Sequence, residues 1–447
     1  MSLADCLKAV CDGRSDCVAF PTIWFYQLDW VKPYNLDLPV VPAAVIRPDN
    51  AKDVAGAVNN FGTGGEDGAV MVDLVNLQDF KMNEDTWEAS FGSGFRLGEL
   101  DKHLHENGGR AMAHGTCPSV GIGGHATIGG LGPMSRMWGS ALDHVEEVEL
   151  VTADGDIVRA SYTENADLFF GIKGAGSSFG IVTEFKIHTH TEPGKVVEYT
   201  YSITFGSPEE MADVFEDWQA LAGDPDLDRR FSTLFIVHPL GALVTGTFYG
   251  TAEEYEETGI AGRLPGGGDL NFQLVGWVGS LAHQAELGGL QIAHTPTAFT
   301  SRSLAFRESD LLNNDAIGEI FKYVEDADKG TLAWVIMWNS EGGAMGDFIE
   351  GNSYPHRDKV IMYQSYVVGF PSITSATHGF VDGLQERIQE GAPNANSTYA
   401  GYIDPTLTRE EANEFYWGEH LTRLREIKAK WDPKNVFRNP QSIEPAG

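Results

Sequence analysis

The chain has 447 residues, 42% of them hydrophobic and 11% aromatic. It contains no apolar run approaching the roughly 20 residues that cross a bilayer, and its length exceeds the size at which one core keeps growing, so two domains are expected. Lys and Arg number 31 against 64 Asp and Glu, a net charge of −33 that repels nucleic acid phosphates and anionic membrane surfaces and leaves neutral or cationic ligands.

Three of the four cysteines, Cys6, Cys11 and Cys17, crowd the first 17 residues, while Cys117 stands alone. The cluster points to an N-terminal staple of open pairing in an oxidising compartment. The opening MSLADCLKAVCDG has neither the basic stretch nor the apolar core of a signal peptide, so either a leader is absent from this sequence or the protein stays inside. The sequon Asn396-Ser397-Thr398 is compatible with secretion. From residue 40 to 190, AAVIRP, AVMVDL, VEEVELVTADGDIVRA and FGIVTEFKIHTH read as strands, and NAKDVAGAV and LGELDKHLHENG as short helices. The Asp-Gly centre of TADGD marks a hairpin. From about residue 195 longer strands alternate with amphipathic helices. Ser207 with Glu210, and Thr408 with Glu411, are spaced as capping boxes, the second opening one helix that runs through EEANEFYWGEHLTRLREIKAKW. The glycine-rich RLPGGGD reads as a loop of the second domain.

GTCPSVGIGGHATIGG, residues 115–130, places a thiol among glycines whose bare backbone can approach a large planar or phosphorylated ligand. GIKGAGSSFGIVTEF, residues 171–185, runs from a second glycine cluster into a strand. Neither has the spacing of a dinucleotide fingerprint or a phosphate loop. His114 and His125 read as hydrogen-bonded structural residues, and no metal site is expected.

Together, PAAVIRPDNAKDVAGAV, GTCPSVGIGGHATIGGLG, ALDHVEEVELVTADGDIVRAS, ENADLFFGIKGAGSSFGIVTEF, YPHRD and FYWGEHLTRLREIKAKWDPKNVFRNPQSI resemble the berberine bridge enzyme-like flavoproteins of the vanillyl-alcohol oxidase superfamily. Within these, the chain most resembles the fungal gluco- and chito-oligosaccharide oxidases. The resemblance implies an α+β fold with a two-part FAD-binding domain of the vanillyl-alcohol oxidase (PCMH) type and a central antiparallel-sheet substrate domain. Its boundaries fall at residues 1–192 for the FAD-binding part, 193–395 for the substrate domain and 396–447 for a C-terminal segment returning to the first. It implies FAD held by Gly115, Thr116, Cys117, Val120, Gly121, Gly123, Gly124, Gly130, Gly180, Ile181 and Val182, with Cys117 in the position that forms a thioether to the flavin C6 atom.

The resemblance breaks first within the FAD-binding part. Family members carry a strand and an SGGHS loop, whose histidine bonds the flavin C8α, before the GGEDG turn; here Val58 passes through NNFGT directly to it, near residues 58–64, about twenty residues short. Three readings are open: an exon missed in the sequence as given, a natural variant whose covalent flavin is held through Cys117 alone, or a chain that no longer holds flavin; a true loss of the strand is expected to leave a neighbour with unpaired backbone groups.

For chemistry, the resemblance implies a tyrosine base in YAGYIDPTLT, matched by Tyr402, with Tyr399 beside it, and an orienting carboxylate in a W-D-x-x-G-G segment where this chain has Asn339. An amide orients a phenol but does not take its proton as a carboxylate does; Glu341, two residues on, shares the face of Asn339 if the strand continues. Substrate contacts are expected from Tyr399, Gln364, Trp338 and Tyr363, with Trp334 as a further platform, since aromatic faces stack on sugar rings. Arg357 and Asp358 of YPHRD read as an architectural cluster. The expected activity is oxidation of an oligosaccharide anomeric hydroxyl to a lactone, with O2 or another acceptor and H2O2 as product, by a secreted monomer that binds neither nucleic acid nor membrane. The alternatives are a secondary-metabolite oxidase on the same scaffold, or a flavin-free carbohydrate-binding protein.

Overall fold

The computed structural model describes residues 2–60, 67–204, 207–265, 270–277, 279–281, 296–348 and 350–447. At its N-terminus α1 (Leu3–Val10), capped by Ser2, packs beside α2 (Ala51–Asn60). Strands β1 (Val18–Ala19), β2 (Ala44–Ile46) and β3 (Val70–Val72) form a three-stranded sheet with β2 at the centre. A Cys11–Cys17 disulfide sits in the core under this sheet with Leu7, Ala44 and Ile46, and Cys6 is a free thiol. The connection near residues 58–64, which the resemblance implies to be shortened, falls largely on residues 61–66, outside the described residues, as does most of the RLPGGGD loop. Its flanks are informative: β3 pairs in parallel with β2, which pairs on its other side with β1. Among the described strands β2 is thus paired on both sides, and β3 is the half-exposed edge of this sheet.

A second sheet follows, built from β4 (Phe80–Asn83), β5 (Glu88–Gly92), β7 (Val145–Val151), β8 (Ile157–Ser161) and β9 (Ile181–His188) in the order β4-β5-β9-β7-β8. The hairpin signalled by TADGD joins β7 to β8, closed by the Thr152 N–H on the Asp156 carbonyl at 3.0 Å. Helices α3 (Leu97–Glu106), α4 (Ile122–Ile128) and the one-turn Ser135–Trp138 lie between β5 and β7, and the two-residue β6 (Arg110–Ala111) pairs with β10 (His190–Thr191). The core of this layer draws in Tyr416, Trp417 and Leu424 from near the chain's end. Lys428 is buried there, its ammonium satisfied by the Ser178 and Phe437 carbonyls, each at 2.7 Å, and by Asp432 at 2.5 Å. The single C-terminal helix expected from sequence is two, Arg409–Trp417 and Leu421–Trp431, because Gly418 takes a φ of +43° and turns the chain between them.

Between residues 195 and 369 the described residues include seven strands that form one antiparallel sheet. Its strands are β11 (Lys195–Thr204), β12 (Phe231–His238), β13 (Gly241–Phe248), β14 (Leu270–Gly276), β15 (Ala298–Phe306), β16 (Ala333–Ser340) and β17 (Ile361–Gly369), in the order β14-β11-β13-β12-β16-β17-β15. Side chains alternate between its faces. One face is covered by helices Pro208–Ala222, which begins at the Ser207–Glu210 capping box, Asn314–Asp326 and Ser375–Gly391. Trp334, Ile336 and Trp338 of β16 and Tyr363 and Val367 of β17 point into that covered face. Trp338 lies 4.8 Å from Phe215 of the first helix and 5.4 Å from Tyr363, centroid to centroid. This corrects the expectation that Trp334, Trp338 and Tyr363 meet substrate: they are core residues. Residues of the opposite parity, Met337 and Asn339 of β16 with Met362, Gln364 and Tyr366 of β17, line the other face, which turns toward the first domain.

The layers are locked by a buried ion pair. Arg357 donates to both oxygens of Asp143, at 2.8 Å each, and to Asn352, which supports the architectural reading of YPHRD. Removing one partner of such a pair strands a buried charge. Asp143→Ala is expected to cost about 3–5 kcal/mol in urea denaturation, whereas Arg159→Ala, which breaks contacts to Glu147 and Glu184 on a half-exposed surface, should cost under about 1 kcal/mol.

Candidate functional site

The cysteine loop is built by its histidines. Gly115 donates its N–H to His125 Nε2 at 2.8 Å, and His114 places one ring nitrogen 2.8 Å from the Gly115 carbonyl and the other 2.6 Å from Asp101. Burial and the neighbouring His114 push His125 down to about 3, so it stays a neutral acceptor. Burial alone would lower His114 as well, but the Asp101 carboxylate and the Gly115 carbonyl overcome it and raise its pKa. Both histidines are thus satisfied and structural. Thr116 and Cys117 are half-buried, the Cys117 thiol lies 3.1 Å from the Ser119 hydroxyl, and Val120 and Gly121 are exposed.

The loop then enters α4. Gly121 and Gly124 present bare backbone: a side chain begun at either would find no atom within 4 Å. Gly123 instead sits close on Ser93, whose hydroxyl donates to the Val182 carbonyl at 2.6 Å, and Gly176 packs on Thr127. Ser93 and Thr127 therefore bring the second glycine stretch, which leads through Gly180 into Ile181 and Val182 of β9, against α4, the helix that follows the cysteine loop. An exposed backbone strip beside a free thiol fits a broad, flat cofactor approached edge-on.

At the other end of α4, Gly129 and Gly130 take φ values of +142° and +82°, a conformation that side chains resist. A Cβ at Gly129 would stand 2.8 Å from the Tyr399 ring and 3.0 Å from Tyr354, and the Gly130 N–H donates to the Tyr399 hydroxyl at 2.9 Å. Tyr399 and Tyr402 meet edge to face at 5.1 Å. The Tyr402 carbonyl accepts from Ser303 at 3.4 Å, and Ser303 is the register partner of Gln364. Gln364 donates to Ser301 at 3.2 Å, while Asn339 makes a long contact of 3.4 Å to the Met362 carbonyl. The structure thus brings Tyr399, Tyr402, Gln364 and Asn339 to the face of the large sheet that meets the cysteine loop's helix. Burial raises the phenol pKa of both tyrosines above its ordinary value.

Sequence reasoning missed two features of this face. Tyr354 closes the tyrosine cluster. Phe299 and Tyr366 stack at 4.7 Å with Tyr34 edge-on to Phe299 at 5.3 Å, forming a half-exposed aromatic shelf where Trp338 and Tyr363 were expected to serve. The signal was present in KVIMYQSYVVGF, where Tyr366 shares strand parity with Gln364 and Tyr363 does not. Elsewhere, His144, His188 and His190 gather within 4.8 Å of one another, but His144 spends one nitrogen on the Ser140 carbonyl and the other on the Ala113 N–H.

The raised pKa of His114 fixes a sign. Its contact with Asp101 stabilises the fold fully below about 6.5 and less as pH rises through the raised value. Asp101→Asn should lower the thermal midpoint strongly at about pH 6 and little at about pH 9, measured by circular dichroism.

Residues 53–161 match the FAD binding domain family, and residues 398–444 the berberine and berberine like family. The chain is 36% identical to the FAD-linked oxidoreductase sorD of Penicillium rubens, covering 99% of this chain and 98% of that one. It is 31% identical to a carbohydrate oxidase of Microdochium nivale, covering 94% and 91%. A solved structure of the glucooligosaccharide oxidase of Acremonium strictum, described with a 6-S-cysteinyl, 8α-N1-histidyl FAD, superposes with a TM-score of 0.88 over 100% of both chains at 28% identity. The glycine-lined thiol loop, the tyrosine cluster and these full-length matches agree: this chain belongs to the berberine bridge enzyme-like flavoproteins, FAD-dependent oxidoreductases acting on CH–OH groups.

Proposed function

We propose that the protein oxidises the anomeric hydroxyl of an oligosaccharide to a lactone, using O2 as electron acceptor and releasing H2O2. The observation that carries this is the placement of Tyr402 and Gln364 on one sheet face, joined through Tyr399 to the helix that carries the cysteine loop. Similarity to relatives described as carbohydrate and glucooligosaccharide oxidases supports the substrate class. FAD would lie along Thr116–Gly124 and Gly180–Val182 with its flavin near Cys117; when bound, it supplies the two-electron acceptor for the hydride. The protein's own part is to hold the sugar and manage one proton. Gln364 offers an amide to ring hydroxyls, and the Phe299–Tyr366 shelf, farther along the same face, suits stacking of a second sugar ring. Tyr402 is the group next to the reacting hydroxyl. The Cys11–Cys17 disulfide favours an oxidising compartment and hence secretion.

A panel of cello-, xylo- and chito-oligosaccharides with aromatic alcohols as controls, read by H2O2 release, tests the reading: turnover of sugars supports it, and turnover confined to the alcohols contradicts it. Tyr402→Phe should lower kcat by about 10²–10⁴-fold, the usual size of a general-base contribution. Gln364→Ala should raise KM. Trp338→Phe, on the covered face, should lower the melting temperature while leaving KM unchanged.

A further inference from the structure

Asn396-Ser397-Thr398 is the only Asn-X-Ser/Thr sequon in the chain, and the chemistry of the site gives it no role. Whether a sequon can carry a glycan depends on where the fold puts the asparagine, because the sugar is bulky and has to remain in water. Here the burial changes from residue to residue. Ala395, Thr398 and Tyr399 are buried, whereas Asn396 is exposed, as are Pro393 and Asn394 before it. The segment from Ala395 to Tyr399 lies outside any helix or strand, and the Asn396 side chain makes no hydrogen bond among the described residues. Its amide nitrogen is therefore not committed to the fold.

The neighbours of Asn396 fix where it stands. β15 ends the order of the seven-stranded sheet, and its outer side is closed from two places. Near its start, Thr297 donates to the Tyr34 carbonyl at 3.2 Å and accepts from the Leu36 N–H at 2.9 Å. The Asn35 amide donates to the Phe299 carbonyl at 3.1 Å and accepts from the Phe299 N–H at 3.2 Å. Near its end, Ala305 donates its N–H to the Ser397 carbonyl at 2.9 Å, and the Thr398 hydroxyl is bonded to that of Ser303. Asn396 is thus the exposed residue next to the one that pairs with the sheet's outer edge. An open edge is a template for another strand, and a bulky hydrophilic group beside it obstructs that approach.

The third residue of the sequon sets when a glycan can be added, since recognition requires the threonine as well as the asparagine. In the folded protein Thr398 is 1% exposed, its hydroxyl is held by Ser303, and its N–H donates to the Phe415 carbonyl at 3.2 Å. Phe415 follows later in the chain, so a chain emerging into the secretory lumen presents the whole sequon before this lock can form.

We infer that Asn396 is the acceptor for an N-linked glycan, added before the segment leading to Tyr399 closes onto β15, and that the glycan stands at the outer edge of the large sheet. In the native host this rests on the secretion proposed above. The donor is an oligosaccharide linked to a polyprenyl diphosphate. The bond from its anomeric carbon to the diphosphate oxygen breaks, the electron pair leaving with the diphosphate. The Asn396 Nδ2 atom bonds that carbon and gives up one hydrogen as a proton, with no change of oxidation state.

The test directs the full chain into the secretory pathway of a eukaryotic host with a cleavable leader, beside N396Q. Digestion with a peptide N-glycosidase in heavy-oxygen water should increase the gel mobility of the wild type and leave that of N396Q unchanged. Peptide maps of the wild type should show Asn396 converted to oxygen-labelled Asp, a readout independent of whether N396Q folds. The same chain made folded and without glycan in bacteria, then mixed with oligosaccharyltransferase and the lipid-linked donor, should remain unmodified. A wild type that reaches the medium with Asn396 unlabelled overturns the inference, and modification of the folded bacterial protein overturns the order of events. Fractionation of the cells that make the protein natively decides secretion separately: a native protein kept inside contradicts secretion, while labelling of Asn396 in the routed chain still upholds the acceptor site.

Discussion

The site depends on one close packing: the turn at Gly129 and Gly130 against Tyr399 and Tyr354. Both glycines hold positive φ, and neither has room for a Cβ, since one at Gly130 would meet the Ala141 side chain at 2.4 Å. The Gly130 N–H is then aimed at the Tyr399 hydroxyl, which fixes the C-terminal end of α4 relative to the large sheet. α4 is only seven residues long, so whatever its far end holds at the cysteine loop is placed rigidly with respect to the tyrosines. A side chain at either glycine would force α4 away from Tyr399 and Tyr354 or from Ala141.

A second constraint is the alternation of the seven-stranded sheet. Its helix-covered face takes the bulky apolar residues and leaves Asn339, Gln364 and Tyr366 on the side toward the first domain. In the proposed function that division separates stability from recognition, with Trp338 and Gln364 facing opposite sides of adjoining strands. The electrostatics follow a similar economy. Around the cysteine loop the charged groups are paired or neutralised, as with His114 on Asp101 and neutral His125, whereas Glu341 carries a buried oxygen with no partner among the described residues.

Much of this was legible in the sequence because it is local. The TADGD hairpin, both capping boxes and the glycine-rich loop around Cys117 are set by residues within a few positions of each other. What was not legible depends on long-range placement. Nothing near Gly130 announces that it will bond a tyrosine 269 residues away. Trp338 and Tyr363 were assigned to substrate because aromatic residues suit sugars, but which parity of a strand is covered is decided by helices elsewhere in the chain. The break at Gly418 escaped because the helical pattern on both sides is continuous in period. The parity linking Asn339 to Glu341 could be read from sequence, but that the ladder runs far enough to use it could not.

The central proposal is that a flavin lies against the cysteine loop and is tethered there through the Cys117 thiol. The most direct test is the visible absorption spectrum of the purified protein before and after acid precipitation, beside Cys117→Ser. Yellow colour retained in the wild-type pellet and released to the supernatant from the variant is the predicted result. A colourless wild type, or colour that stays with the Cys117→Ser pellet, would contradict it.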